Sequence, residues 1–468
     1  MRQIGFLKER GISEVEEIGL SFQEWDMISK YTYTKSISFI HNKGFILNFS
    51  PQNRLCGVYA VLWAVRKFIE KNDGVRVIIN KQKENSVLYV QHINTSPSFL
   101  EIPVVAFKDK EKEYRQYLLK CYMEEFKREE KIYRFNIIVF ENGEYNLLAV
   151  FDHLNMDQYA LSIASSSIKR LHDAIIEGKE PIYEPPSFKD YVKRQLEYLS
   201  SKRYKRDIDF WNNYLDKDSR YLNYGKSLKV IGEDKPFFET YSDYLKNDKM
   251  ERLRELSKRF SVSVDTLFFS FFALLGSRYL NIEQFFIVRR YENRLHNEDK
   301  ELFACCRAEL PVLVNIDEEK SFAAFCEENF RESTVVQRHG AVPVLDLERI
   351  YKKYSGAKSD KISGLRFGIG QDGFTDVRDI IMRYGEANIA DDSVKKNIQI
   401  DYTILGGIDI IISKNRDGCA VLTISGKKDF FEGLKSFEML ESEMMALAER
   451  LYEEGDMTIA ELMGKIRI

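Results

Sequence analysis

The sequence predicts an α+β protein, and three features carry that reading. Runs with strand character and runs with helical spacing both recur along the 468 residues. The turn Glu141-Asn142-Gly143-Glu144 is hairpin chemistry, so the strands on either side of it pair antiparallel. Three of the nine prolines fall within Pro181-Ile182-Tyr183-Glu184-Pro185-Pro186, which marks a boundary between two halves.

Taken in order, residues 1–17 read as a polar lead-in, and the ordered body begins at Leu20-Ser21-Phe22-Gln23-Glu24-Trp25. Over 54–70, Leu55, Val58, Tyr59, Leu62, Val65, Phe68 and Ile69 recur at the spacing of an amphipathic helix. The turn Asn72-Asp73-Gly74 leads to strands at 75–80 and 86–93, a helix at 111–127 and a strand at 133–140. Residues 145–151 are an apolar run, read as a buried strand, and 159–176 carry helical periodicity. The second half opens with a charge-rich helical stretch at 189–215, then helices at 249–260 and 264–279 and a strand at 285–289. Helices at 322–332 and 344–354, strands at 365–369, 409–413 and 420–425, and a long amphipathic helix at 430–453 complete it. The domain reading is a lead-in at 1–17, an N-terminal lobe at 18–180, a Pro-rich linker at 181–188 and a C-terminal lobe at 189–468. No internal repeat or low-complexity tract interrupts it.

Composition narrows the function classes. Apolar residues make up 44% and charged residues 31%, with a net charge of −3, so there is no basic footprint for a nucleic acid. The N-terminus turns charged before a signal-peptide core forms. The most apolar run, 266–275, is shorter than the roughly 20 residues a bilayer requires, so it reads as a core helix and no membrane partner is expected. The six cysteines, Cys56, Cys121, Cys305, Cys306, Cys326 and Cys419, include no C-x-x-C pair and form no disulfide framework, which fits a reducing cytoplasm.

Most motif candidates fail on their own terms. The six histidines, His41, His92, His153, His172, His296 and His339, never stand at metal-pair spacing, so no metal site is expected. Gly368-Ile369-Gly370-Gln371-Asp372-Gly373 matches G-x-G-x-x-G, with 374–383 as a possible helix after it. It lies late in the chain without a second nucleotide-binding half, so a flexible loop is the preferred reading. Leu405-Gly406-Gly407-Ile408-Asp409 resembles a carrier attachment sequence but lacks the serine that would be esterified.

His153 is different. It follows the apolar run at 145–151 and stands four residues before Asp157, at a strand-to-helix turn where rigid elements on both sides can hold a side chain still. Phe151-Asp152-His153-Leu154-Asn155-Met156-Asp157-Gln158 resembles the H-H-x-x-x-D-G motif of nonribosomal peptide synthetase condensation domains and their chloramphenicol-acetyltransferase-like superfamily. Other landmarks follow in family order. Leu20-Ser21-Phe22-Gln23 resembles L-S-x-x-Q. Ser187-Phe188-Lys189-Asp190-Tyr191 and Phe210-Trp211-Asn212-Asn213-Tyr214-Leu215 resemble Y-x-D-Y…Y-W-x-x-x-L. Arg294 with Leu310-Pro311 resembles G-R…N-T-L-P, and Arg338-His339 to Pro343 resembles H-Q-x-x-P. The resemblance covers about residues 18–455.

The resemblance implies two chloramphenicol-acetyltransferase-like lobes forming a V with a central tunnel. It implies His153 as the catalytic residue, with Asp157 and Arg294 as a structural ion pair. Three positions depart from the family pattern: Asp152 stands for the first histidine, Gln158 for the glycine, and Ala308 for the asparagine before Leu-Pro. Asp152 reads as a structural substitute, since successive strand residues face opposite ways. Gln158 narrows the substrate path, requires a different backbone angle from glycine, or supplies an amide that hydrogen-bonds the substrate.

The implied activity is that of a free-standing condensation-type acyltransferase. It forms an amide, with an ester as second choice, between an acyl or aminoacyl thioester and an amine or aminoacyl acceptor. It would hold no cofactor of its own, the substrates being presented on the phosphopantetheine of a separate acyl or peptidyl carrier protein. Two alternatives share the site: a catalytically inactive docking platform for carriers or tailoring enzymes, and an acyl-CoA-dependent N- or O-acyltransferase.

Overall fold

The structure is a computed structural model that describes residues 15–18, 20–33, 42–50, 54–82, 88–94, 102–128, 130–216, 238–245, 247–355, 364–371, 375–376, 408–414, 420–427, 433–464 and 466. The chain divides into two compact units. Unit 1 comprises Met1–Ser201, Arg294–Cys306 and Asp372–Lys395, and unit 2 comprises Lys202–Asn293, Arg307–Gln371 and Lys396–Ile468.

Unit 1 is built on a five-stranded sheet. Strands β1 (Val15–Ile18), β2 (Asn42–Phe49), β3 (Val77–Gln82), β4 (Leu88–Asn94), β5 (Val104–Phe107), β6 (Tyr133–Phe140) and β7 (Tyr145–Asp152) occur in its first 152 residues. The sheet runs β12-β2-β7-β6-β5, where β12 is the short strand Thr375–Asp376, and a smaller sheet runs β1-β4-β3. β7 lies between β2 and β6, antiparallel to both, and all eight of its residues are buried. One face of the large sheet is covered by helices α2 (Arg54–Lys71) and α4 (Gln158–Ile176). Here Val61, Ala64, Phe68, Ala160, Ala164 and Ile168 pack on Phe45, Leu147, Ala149 and Phe151. The other face meets α3 (Lys112–Met123), where Tyr114 sits edge-on to Phe140 and Asn146 donates to the Tyr114 hydroxyl. Burial on both faces is why β7 reads as a mostly apolar run, with Asn146 Nδ2 bonded to the Tyr114 hydroxyl. Helix α1 (Phe22–Tyr33) starts with a capping box, in which Glu24 N donates to Ser21 Oγ and Ser21 N donates to Glu24 Oε2.

The Pro-rich stretch is not the boundary between units. Tyr183 within it is buried and accepts from Asn72 Nδ2 at 2.8 Å. Helix α5 (Phe188–Leu199) is fixed to unit 1 because Asp73 accepts from Ser187 Oγ, Phe188 N and Lys189 N. The division falls at Ser201/Lys202, where α5 gives way to α6 (Lys202–Asp216), so the expected helical stretch at 189–215 is two helices. A second correction is the return of Arg294–Cys306 to unit 1, inside what the sequence reading assigned to the C-terminal lobe. Phe303 of that segment lies edge-on to Phe68 at 5.6 Å, and Leu302, Ala304 and Cys306 join a core with Leu20, Val77, Leu154 and Tyr191. Gly74 admits this segment, since a Cβ there would meet the Phe303 carbonyl oxygen at 2.5 Å.

Unit 2 contains a six-stranded mixed sheet. Its strands are β8 (Phe238–Leu245), β9 (Gln284–Tyr291), β10 (Ala308–Asn315), β11 (Arg366–Gln371), β13 (Ile408–Lys414) and β14 (Ala420–Lys427), in the order β10-β9-β11-β13-β14-β8. Helices α7 (Asn247–Arg259), α8 (Val264–Leu280), α9 (Phe322–Arg338), α10 (Val344–Ser355), α11 (Phe437–Glu454) and α12 (Ile459–Met463) complete the unit. The apolar run at 266–275 lies inside α8, where Phe268, Phe269, Phe271 and Phe272 are wholly buried. Among the described residues no single helix is long and apolar enough to cross a membrane.

Two sequence readings change here. Gly368 and Gly370 are not in a flexible loop but in β11, parallel to β9 and β13, and a Cβ at Gly368 would stand 3.0 Å from Arg290 Cδ. Within the expected helix at 374–383, Thr375–Asp376 pair with β2 as a strand. The remainder of that helix, Asp372-Gly373, Leu405-Gly406-Gly407, Cys419 and His41 lie outside the described residues.

Candidate functional site

The site grows from the end of β7. Asp152 is the last residue paired to β2, opposite Asn42, so His153 is the first side chain beyond the sheet. Four side-chain bonds fix the turn into α4. His153 Nδ1 donates to the Met156 carbonyl oxygen at 2.5 Å, and Leu154 N donates to Asp152 Oδ1 at 3.0 Å. Asn155 Nδ2 donates to the Gly74 carbonyl, and Ala160 N donates to Asp157 Oδ1 at 2.8 Å, which makes Asp157 the N-cap of α4. Leu154 and Met156 are wholly buried, and His153 is 8% exposed. A carbonyl oxygen only accepts, so Nδ1 carries the proton, and in the neutral imidazole the lone pair belongs to Nε2.

Asp157 is held from across the chain. Arg294 Nη2 donates to Asp157 Oδ1 at 3.0 Å and Cys306 N to Oδ2 at 2.8 Å. The Arg294 guanidinium also donates to the carbonyls of Asp299 (2.8 Å), Leu302 (2.9 Å) and Ala304 (3.1 Å), and lies over the Tyr159 ring. Burial works against its charge, but Asp157 foremost, with Cys306 and Tyr191, outweighs burial and holds the guanidinium pKa above its ordinary value. This arginine therefore clamps its own segment, Arg294–Cys306, onto the N-terminus of α4. The thiol of Cys306 is pushed up to about 12 by burial, opposed in part by Arg294, so it stays protonated at neutral pH and is no nucleophile.

The departures from the motif fall into place locally. Asp152 Oδ2 accepts from Arg128 Nε at 2.7 Å while Oδ1 holds Leu154 N, so this carboxylate braces the turn. Gln158 occupies the first helical position, half-buried, and is not among the residues with positive φ, so no special backbone angle is demanded of it. Ala308 begins β10 in unit 2 and is buried.

A polar cluster behind the site was not identified from sequence. Gln23 Oε1 accepts from Tyr191 Oη at 3.2 Å and from Gln195 Nε2 at 3.0 Å, while Gln23 Nε2 donates to the Cys306 carbonyl at 3.4 Å. The opening Leu-Ser-Phe-Gln stretch, the Tyr191 region and the Arg294 segment thus meet behind Asp157. The i, i+4 spacing of Tyr191 and Gln195 on α5 was the available signal. In unit 2, His339 Nδ1 bonds Asp207 Oδ1 at 2.8 Å, its ring stacks on Phe210 at 3.8 Å, and its carbonyl accepts from Trp211 Nε1 at 2.9 Å. These bonds give His339 a structural role joining α6 to the end of α9. No cluster of three or more metal-ligating side chains occurs among the described residues.

Comparison with known proteins places the chain in one family. The condensation-domain family model matches residues 58–363. A plipastatin synthase polypeptide of Bacillus subtilis is 23% identical over 214 residues, covering 45% of this chain and 8% of that synthase. The chain thus spans less than a tenth of that relative's length. Among solved structures, the first condensation domain of the CDA synthetase has a TM-score of 0.69 at 11% identity, covering 95% of this chain and 98% of that one. A mutant of the starter condensation domain of rhizomide synthetase, in complex with C8-CoA, also has a TM-score of 0.69 at 11% identity and covers 95% and 96%.

Proposed function

The chain belongs to the condensation-domain family, and from that membership we propose that it is an acyltransferase that condenses a carrier-bound acyl or aminoacyl thioester with an amine. The observation that carries the reading is the tautomer of His153: Nδ1–H is spent on the Met156 carbonyl, which makes Nε2 the unprotonated ring nitrogen of the neutral imidazole.

The reaction balances as follows. The amine nitrogen attacks the thioester carbonyl, a C–N bond forms, the C–S bond breaks, and the phosphopantetheine thiol leaves. The proton lost by nitrogen passes to His153 Nε2 and from there to the departing sulfur. An α-amine has a pKa of about 7.7–8.0, so roughly a tenth is already unprotonated at neutral pH and little basicity is required. Holding the two reactants in line can supply about 7–11 kcal/mol, against about 3–5 kcal/mol for a general base. Positioning is therefore the larger contribution, and the rigid β7–α4 turn with its Asp157–Arg294 clamp serves it.

The test is single-turnover transfer from a carrier loaded with an acyl or aminoacyl group to an amine, followed by intact-protein mass spectrometry. His153→Ala should slow transfer by about 10²–10⁴-fold without loss of fold. Parent-like turnover in that variant would remove His153 from the chemistry. Because a neighbour of the same fold was crystallised with C8-CoA, an acyl-CoA donor is included as a second arm. If parent and variant are both inert with either donor yet bind the loaded carrier, the docking-platform reading replaces the catalytic one.

A further inference from the structure

Unit 1 contains a cavity of about 250 Å³ whose lining does not include His153, Asp157 or Arg294. It lies between the C-terminal half of α3 (Tyr117, Lys120 and Cys121), the start of β6 and the Ile102-Pro103 approach to β5. Asn136, 3% exposed, is part of its wall. The Tyr117 hydroxyl donates to Asn136 Oδ1 at 3.0 Å, which orients the amide, and Nδ2 is then left without a hydrogen-bond partner. A buried donor with no acceptor is uncommon in folded proteins and marks a position where an acceptor belongs.

The charges around the cavity sum to a positive field. The α3 C-terminus would oppose an anion, but its carbonyls are already engaged. Arg134 Nη1 donates to the Cys121 carbonyl at 2.6 Å, and Asn42 Nδ2 donates to the carbonyls of Tyr122 and Glu124. Arg134 also pairs with Glu124 at 3.4 Å, so those two charges cancel. Lys120 and Lys131 remain, both exposed, lining the cavity, and without an ion-pair partner among the described residues. Ile102, Pro103, Cys121, Phe135 and the rings of Tyr117 and Tyr133 supply the apolar part of the wall. The volume is just below the roughly 300–1,000 Å³ of drug-sized sites, so the occupant is small.

We propose that this cavity binds a small organic carboxylate with an apolar body. Its carboxylate accepts from Asn136 Nδ2 in the field of Lys120 and Lys131, and its body lies against Ile102, Pro103 and Tyr117. Water could satisfy Nδ2 alone, but it would not use the apolar wall or the two lysines.

The probes are hexanoate and benzoate, with hexanamide and benzamide as neutral isosteres, titrated into the full chain at low salt by calorimetry and ligand-observed NMR. Both acids should bind, and their amides about tenfold more weakly or not at all. The double variant Lys120→Glu/Lys131→Glu should weaken acid binding by about tenfold or more, since it converts two attractions to repulsions. Asn136→Leu should abolish binding. Both lysines are on the surface, so the double variant decides the matter even if Asn136→Leu misfolds. Failure of both acids to bind the parent, or equal binding by parent and lysine double variant, overturns the proposal.

Discussion

Replacing Arg294 with methionine keeps an unbranched apolar stem and deletes the guanidinium. In the folded protein the Arg294 side chain is 3% exposed and its Asp157 partner 5%, so the loss takes place away from water. Removing one member of a buried ion pair costs about 3–5 kcal/mol, because the remaining charge is stranded. The carbonyls of Asp299, Leu302 and Ala304 lose a donor at the same time, each a further cost of about 1–3 kcal/mol if no water replaces it. These terms overlap, and about 5 kcal/mol is expected in total. For a domain of 150–250 residues each kcal/mol shifts Tm by about 2–4 °C, so the first unfolding transition should fall by about 10–20 °C. Asp157→Asn retains the capping oxygen but removes the countercharge, so it should also destabilise the fold. In a thermal-unfolding cycle followed by circular dichroism, the double variant should lose about 2–3 kcal/mol less than the sum of the singles. A Tm for Arg294→Met within about 2 °C of the parent, or additivity within about 0.5 kcal/mol, would refute the clamp.

Two further predictions follow from the same unit. Burial lowers the pKa of His172 below its ordinary 6.5, opposed in part by Asp173, so below that pH the unfolded chain takes up a proton that the folded chain resists. Stability should therefore fall as pH drops through 6.5 toward the folded pKa, and His172→Phe should flatten that part of the stability–pH profile measured by urea denaturation; an unchanged profile would rule His172 out as its source. Gly74→Ala puts a Cβ 2.5 Å from the Phe303 carbonyl, a main-chain atom that cannot rotate away. It should cost about 1–3 kcal/mol in urea denaturation and slow acyl transfer by displacing the segment that carries Arg294; parent-like values for both would show that the segment yields freely.

Legibility in the sequence followed burial symmetry. β7 and α8 were readable because they are buried on all sides, which leaves a predominantly apolar signal broken by a few buried polar residues such as Asn146, Thr266 and Ser270. β10 was missed because Pro311 interrupts it, and it tolerates a proline because it is the edge strand of its sheet. The Pro-rich stretch at 181–188 was misread as a linker because proline signals a break in helix or sheet, not a break in packing. The ties from Asp73 to the start of α5, and from Asn72 to Tyr183, leave no trace in local composition. The glycines at 368 and 370 matched a loop pattern, yet Gly368 serves the close approach of Arg290 in a neighbouring strand.

For the candidate site, the chain by itself determined the order of elements around His153, because an apolar strand, a polar turn and an amphipathic helix follow each other within thirty-two residues, 145–176. It also held the residue types: an imidazole, a capping carboxylate and a distant arginine. Only the tertiary structure decided which ring nitrogen carries the proton, that Asp152 turns to Arg128, and that Arg294–Cys306 folds back into unit 1. The reason is range. Helical spacing and strand alternation act over a few residues, whereas a buried charge takes its partner from whatever segment packing brings to it, here 137 residues further along the chain.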